Sequence, residues 1–375
     1  MRNQSFTPRQ LGVALAAFIF AANRFSSYYT ETLRQDAWLS VLLGLLFFAP
    51  IFLLYVALAR EFPGKGLFQI NEIVFGKGIG KGITVLYLFF FILINSMNQR
   101  YVADFTVNTI LPEMALAPLV FSMAIVFAWV LRCGLRATMR IGWFVLLFAA
   151  GALVLSYALL AKQMQPANFM PAFRHAPVRY LQSAHTNAII SLGDMLCFLP
   201  LLRYMQPGKK VLRPVIIGIL SGAALTLLCV CQNILVLGVL EPYRLYPAYD
   251  VARLIRISDA FSRMEFLFTI PALLLFTLRV LFLFFAIVEG MGQLFGIEDR
   301  RPLLLPTVGL CAALTFLVVS GSGELKAFTM GVAPFFSGFF VLLLPLLTLT
   351  VFLVRRNRVQ EVIGNNAECR EEVSA

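Results

Sequence analysis

Charge is scarce in this 375-residue sequence. Only 13% of its residues are charged, where a soluble domain carries about 25%. Histidine occurs twice, and none of the six cysteines has C-x-x-C spacing. That excludes the usual zinc and redox sites and leaves the cysteines as small apolar side chains. No metal or cofactor is expected. The sequence has no phosphate-loop motif, no G-x-S-x-G elbow and no H-E-x-x-H pair, so it offers no enzyme signature. Also missing is any polar stretch long enough for a soluble domain. The formal charge is +12, but no basic stripe with interleaved aromatics accompanies it, so a nucleic-acid partner is not expected. The first apolar stretch has no clear small-residue cleavage site and reads as a span rather than a signal peptide.

What remains is apolar. Hydrophobic residues make up 60% of the chain, and the mean hydropathy is +0.83. A soluble core cannot hide that much apolar surface, because burial is limited by surface-to-volume scaling. Lipid is the natural solvent. A spanning helix needs about 20 mostly apolar residues. Ten segments qualify, near 10–30, 37–59, 83–107, 114–131, 141–161, 184–203, 211–239, 264–290, 302–320 and 334–354. The expected fold is an all-α integral membrane protein of about ten transmembrane helices, a single membrane domain with a tail over 355–375. The longest connections run over 162–183 and 241–263.

The basic residues orient the chain. With the N-terminus inside, 19 of the 31 Lys and Arg residues fall in inner segments and nine in outer ones. This bias predicts that both termini are cytoplasmic. Arg24, Arg100 and Arg279 fall within spans. Pro200, Pro271 and Pro345 also lie inside spans, where proline frees carbonyls and kinks the helix.

Ionisable groups in a bilayer are costly and therefore informative. Asp194 lies near the middle of span 6, in the run Ser191-Leu192-Gly193-Asp194. A small polar run with glycine at mid-span predicts a broken helix whose free backbone groups suit a charged ligand. Span 1 carries Ala21-Ala22-Asn23-Arg24, a second expected interruption. Span 3 turns polar at Asn95, where Asn95 and Asn98 are i, i+3 neighbours expected on one face. Arg100 and Asp104, at i, i+4, can pair. Arg279, at mid-span 8, needs a counter-charge, and Asp194 is the candidate. Spans 1 and 6 are five apart, so a five-plus-five inverted repeat of the LeuT kind is expected, with repeats over 10–161 and 184–354 and a site at the midplane.

Several runs are similar to the spore germination permease family, the membrane-embedded B subunits of germinant receptors. They are Gln35-Asp36-Ala37-Trp38-Leu39-Ser40, Phe62-Pro63-Gly64-Lys65-Gly66-Leu67-Phe68, Arg132-Cys133-Gly134-Leu135-Arg136, Asn168-Phe169-Met170-Pro171, and Tyr246-Pro247-Ala248-Tyr249. The resemblance implies a ten-span member of the amino acid–polyamine–organocation superfamily in the inner membrane of an endospore. Such a subunit contacts membrane lipid, works with an A subunit and a lipoprotein C subunit, and binds a small germinant such as an amino acid to help trigger germination. Carried onto this chain, the implied substrate-binding residues are Ala21, Ala22, Asn23, Arg24, Asn95, Asn98, Ser191, Gly193, Asp194 and Arg279. The superfamily usually has glycines at the span 1 break, and this chain has Ala21-Ala22-Asn23 instead. The alternative readings are a secondary transporter of amino acids or amines, proton-coupled through Asp194, and a channel-forming subunit.

Overall fold

The computed structural model describes residues 5–22, 28–206, 210–255 and 265–356. All the regular elements there are helical; the one extended pairing is an isolated bridge between Phe6 and Met205. In chain order the α-helices are α1 (Pro8–Ala22), α2 (Tyr28–Leu33), α3 (Ala37–Glu61), α4 (Leu67–Phe75), α5 (Lys77–Thr109), α6 (Leu116–Cys133), α7 (Leu135–Leu160) and α8 (Pro177–Thr186). They continue with α9 (Leu212–Leu237), α10 (Pro247–Arg253), α11 (Glu265–Leu294), α12 (Arg301–Leu317), α13 (Ser322–Gly331), α14 (Ala333–Gly338) and α15 (Leu344–Val354).

Among the described residues, eight helical runs are long and apolar enough to cross a membrane. The pair α12 and α13, bent by 95° at its break, makes a ninth. The tenth expected segment corresponds to α1, apolar but only 15 residues long as described. The chain is thus an all-α, multi-span membrane protein. Arg355 and Arg356 follow α15, and the rest of the expected tail lies outside the described residues.

Each helix's surroundings follow from its surface. On α6, Phe121, Ile125 and Trp129 are 61%, 71% and 68% exposed. Their i, i+4, i+8 spacing makes one continuous apolar stripe, which lipid can cover and water cannot. By contrast, α1 is buried on nearly every side from Leu11 to Ala22, and α11 is buried from Leu278 to Gly290. These two helices form the centre of the bundle.

The tightest crossing joins α1 to α9. A Cβ on Gly218 would sit 2.1 Å from the Gly12 carbonyl oxygen, and one on Gly222 would sit 2.8 Å from that of Ala16. Gly218 and Gly222 are four apart on α9, as are Gly12 and Ala16 on α1. Small residues at that spacing let backbones touch, and van der Waals contact there replaces the hydrophobic drive that lipid removes. Elsewhere Gly76 and Gly134 take φ values of +84° and +91° at the α4–α5 and α6–α7 joints, a region closed to most side chains. The Gly-rich run at 76–80 interrupts the helix only at Gly76; Lys77 to Gly80 already belong to α5.

The connections are fastened by side chains. Gln35 Nε2 donates to the Pro171 carbonyl at 2.5 Å. The buried Asp36 carboxylate accepts from Phe173 N at 2.9 Å and Tyr180 OH at 2.7 Å. The 162–176 connection is thereby held on the start of α3. At the other end of the bundle, Phe6 N donates to the Tyr204 carbonyl at 3.2 Å, and Gln206 N to the Phe6 carbonyl at 3.1 Å. Nearby, Glu289 accepts from Arg203, from Tyr204 OH at 2.5 Å and from Arg300 at 3.2 Å.

The α12–α13 break falls where the sequence suggested a plain loop after 320. Arg100 donates to the Ser320 carbonyl at 2.7 Å and the Thr315 carbonyl at 3.4 Å. A cation thus meets the orphan carbonyls at the end of α12. Its i, i+4 partner Asp104 holds Arg100 Nε at 2.8 Å and accepts from Ser322 Oγ, the first residue of α13, at 3.0 Å. The pair straddles the bend.

Gly218→Leu is expected to lower the unfolding temperature in detergent, at a cost of about 1–3 kcal/mol from overpacking. Gly309→Ala, with nothing near its added Cβ, should leave it unchanged. Equal effects of the two substitutions would show that the α1–α9 crossing is not a tight contact.

Candidate functional site

Span 6 changes helical type rather than stopping. After α8 the backbone runs as a π-helix over Asn187–Leu192, then as 3₁₀ turns over Gly193–Phe198 and Pro200–Tyr204. The expected break is therefore an irregular but continuous helix. Gly193 has ordinary helical angles, φ −64° and ψ −34°, so the expectation of special backbone angles there is corrected. Its need for glycine is steric: a Cβ would lie 2.7 Å from Val341 Cγ1. Val341 belongs to a second π segment, Phe339–Leu343, and its carbonyl accepts Tyr55 OH at 2.7 Å. Single π turns recur at functional sites because they release carbonyls from the ladder.

The irregular span faces Arg279 at the middle of α11. Arg279 and Asp194 form an ion pair, 3% and 4% exposed. The guanidinium also donates to the Phe18 carbonyl at 3.2 Å and the Ile190 carbonyl at 3.4 Å, and its Cζ stands 4.3 Å from the Phe18 ring centroid. One arginine thus ties together α1, the π segment and α11. Among the described residues Asp194 Oδ1 is buried without a hydrogen-bond partner, an arrangement that costs free energy unless another group completes it.

A cavity of about 70 Å³ opens beside this pair. Asp194, Arg279, Asn98 and Tyr101 supply its polar atoms, and Ile94, Met97, Ile190, Phe276, Leu325 and Phe328 its apolar wall. Ala22 and Thr329 complete it. Asn98 uses its Nδ2 on the Ile94 carbonyl at 2.9 Å, which leaves an amide oxygen as its remaining acceptor. Tyr101 OH and Thr329 Oγ1 meet at 3.5 Å. On the side of the cavity toward Phe6, a larger apolar chamber of about 280 Å³ lies among Leu11, Leu15, Tyr55, Met195, Phe198 and Leu202.

Of the residues singled out from the sequence, Ala22, Asn98, Asp194 and Arg279 share this cavity. Ala21 is buried in the core beside them. Ser191 and Gly193 are buried in span 6 but do not line the space. Asn95 does not line it either; it faces the Cys311 thiol of α12. A separation of three residues turns a helix by about 60° relative to a shared face, and that sends Asn95 and Asn98 to different neighbours. Asn23 and Arg24 lie outside the described residues. Sequence reasoning missed Ile94, Met97 and Tyr101, which recur with Asn98 at helical spacing, and Phe276, one turn before Arg279. It also missed Leu325, Phe328 and Thr329 of α13. The available signal of a helix start there was Ser320 and Ser322 followed by Glu324, whose carboxylate accepts from Ser320 N at 2.7 Å.

Removing one member of the buried pair strands the other. Arg279→Met is expected to cost about 3–5 kcal/mol, and Asp194→Leu/Arg279→Met together to recover most of that loss. Thermal unfolding of the purified variants measures both. A double variant no more stable than Arg279→Met alone would show that the two charges are not coupled.

Comparison with known proteins places the chain in a lineage. YfkT of Bacillus subtilis (strain 168), named for spore germination, is 27% identical over 333 residues, covering 88% of this chain and 89% of YfkT. Spore germination protein KB of the same organism is 20% identical over 339 residues, covering 89% and 91%. Spore germination protein YndE is 22% identical over 296 residues, covering 76% and 79%. The family described as spore germination protein matches residues 7–322. The fold, the extent of that match and these relatives agree: the chain belongs to the spore germination protein family.

Proposed function

We propose that this chain is the membrane subunit of a spore germinant receptor and binds a small amine or amino acid in the cavity beside Asp194. The observation that carries this reading is the buried Asp194 Oδ1, without a partner among the described residues, beside a cavity. The polar atoms around it are mostly acceptors: a carboxylate oxygen, the Asn98 amide oxygen and two hydroxyls. Acceptors converging on one space suit an ammonium group, while Met97, Phe276, Leu325 and Phe328 suit a short apolar side chain. Arg279 Nη1 and Nη2 are already engaged by carbonyls and by Asp194, so a ligand carboxylate would have to compete for them; only Nε–H has no partner among the described residues. This accords with a site whose span 1 end reads Ala21-Ala22-Asn23 instead of glycines.

The site borders elements that can move against one another. Ala22 ends α1, Ile190 and Asp194 belong to the irregular span, and Leu325 to Thr329 lie on α13 beyond a 95° bend. A ligand that draws α13 and α1 onto span 6 favours one conformation, and only such differential binding lets a ligand shift an equilibrium. Partner A and C subunits of the kind the family resemblance implies would read that shift at the inner membrane of the spore. The meeting of the first and sixth spans at one cavity also supports the five-plus-five inverted repeat, and the bias of Lys and Arg supports both termini being cytoplasmic.

A thermal-shift panel of the twenty common L-amino acids on the purified chain tests the site. At least one is expected to raise the unfolding temperature of the wild type, and Asp194→Asn to weaken its apparent affinity about tenfold or more, as for loss of a charge-assisted hydrogen bond. Unchanged affinity in Asp194→Asn would remove that carboxylate from the site. Flux of the same amino acid in proteoliposomes of the isolated chain would favour a transporter over a receptor.

A further inference from the structure

A second site lies away from the central cavity, on the flank of the bundle. A groove of about 1,210 Å³ runs between α1, α7 and α9. One end is rimmed by Arg9, Lys210 and Arg213, all exposed. No acidic side chain lines the groove, and among the described residues none of the three cations joins an ion pair. Arg140, also exposed, lies on α7 one turn before the groove residue Trp143. Both α1 and α9 begin at this end, which adds the positive ends of two helix dipoles.

Beyond the cations the walls turn apolar. Val13, Leu146 and Ile217 line the groove, and Trp143 stands at its edge, 53% exposed. The floor is the close Gly12–Gly218 crossing of α1 and α9. Positive charge at one end, a half-exposed tryptophan next and an aliphatic channel after it reproduce, in order, the layers of one membrane leaflet.

We infer that this groove holds an anionic phospholipid, its phosphodiester headgroup between Arg9, Lys210 and Arg213 and an acyl chain along Val13, Trp143 and Ile217. Uncompensated cations at a helix junction favour a negatively charged headgroup over a zwitterionic one, whose ammonium they repel. The lipid would brace α1, whose Phe18 carbonyl holds Arg279 about two and a half turns from Arg9, so leaflet charge would bear on the central cavity.

Tryptophan fluorescence tests this directly. The chain has three tryptophans, and the W38F/W129F variant leaves Trp143 alone. In mixed bilayers, brominated phosphatidylglycerol is expected to quench Trp143 about twofold more than an equal fraction of brominated phosphatidylcholine, with the difference abolished in R9Q/K210Q/R213Q. Equal quenching by the two lipids, or a preference that survives the triple substitution, would overturn the assignment. Native mass spectrometry of the unsubstituted chain from the same mixture gives a second reading. Co-purifying phosphatidylglycerol that is lost in R9Q/K210Q/R213Q supports the site, and no preference for it over phosphatidylcholine refutes it.

Discussion

The bundle is organised around one buried ion pair. Arg279 and Asp194 are almost wholly withdrawn from solvent, and neither charge could stay there alone at acceptable cost. Their pairing decides what surrounds them. The guanidinium needs carbonyls, and it finds one on α1 and one on the π segment of span 6. Those acceptors are within reach because α11 is central and because span 6 departs from α geometry beside it. A regular helix keeps its carbonyls in its own ladder. The irregular span is therefore the counterpart of the arginine, and the cavity is the space left where the two meet α5 and α13.

The surrounding packing holds this arrangement still. Small residues bring α1 against α9 so closely that no side chain fits between the backbones at Gly12 and Gly218. That contact sets the position of α1 and with it the Phe18 carbonyl. Gly193 plays a similar part on the other side, where it admits Val341 from the second π segment. The Arg100–Asp104 pair does comparable work at the bend between α12 and α13: it places α13 over the cavity by satisfying the carbonyls that the bend exposes.

Four of the five runs that resemble the family fasten elements to one another. Gln35 and Asp36 bind the connection that contains Pro171 and Phe173. Gly66 packs where a Cβ would meet the Pro200 carbonyl at 2.5 Å, and Leu67 N reaches the Leu199 carbonyl at 3.4 Å. Tyr249 OH donates to the Thr109 carbonyl at 3.2 Å. Loops in contact with several helices are constrained by each of them, and so carry recognisable local patterns. The cavity wall is aliphatic and aromatic, where many side chains of similar volume serve equally well, and it carries no such pattern.

Helix positions were legible from residues alone because they answer to a local rule. Backbone in lipid must satisfy its own hydrogen bonds, and crossing takes a set length of apolar chain. The pairing candidates Asp194 and Arg279 were legible for the same reason: a charge at mid-span stands out in any single helix. What the chain order left open was the rotation of each helix against its neighbours. Asn98 reaches the cavity and Asn95 does not; α13 closes over it although its own composition marks only a loop; Gly193 is required by Val341, far along the chain. Those outcomes depend on contacts between distant segments. Periodicity within one helix identifies its faces, and only tertiary packing decides what each face meets.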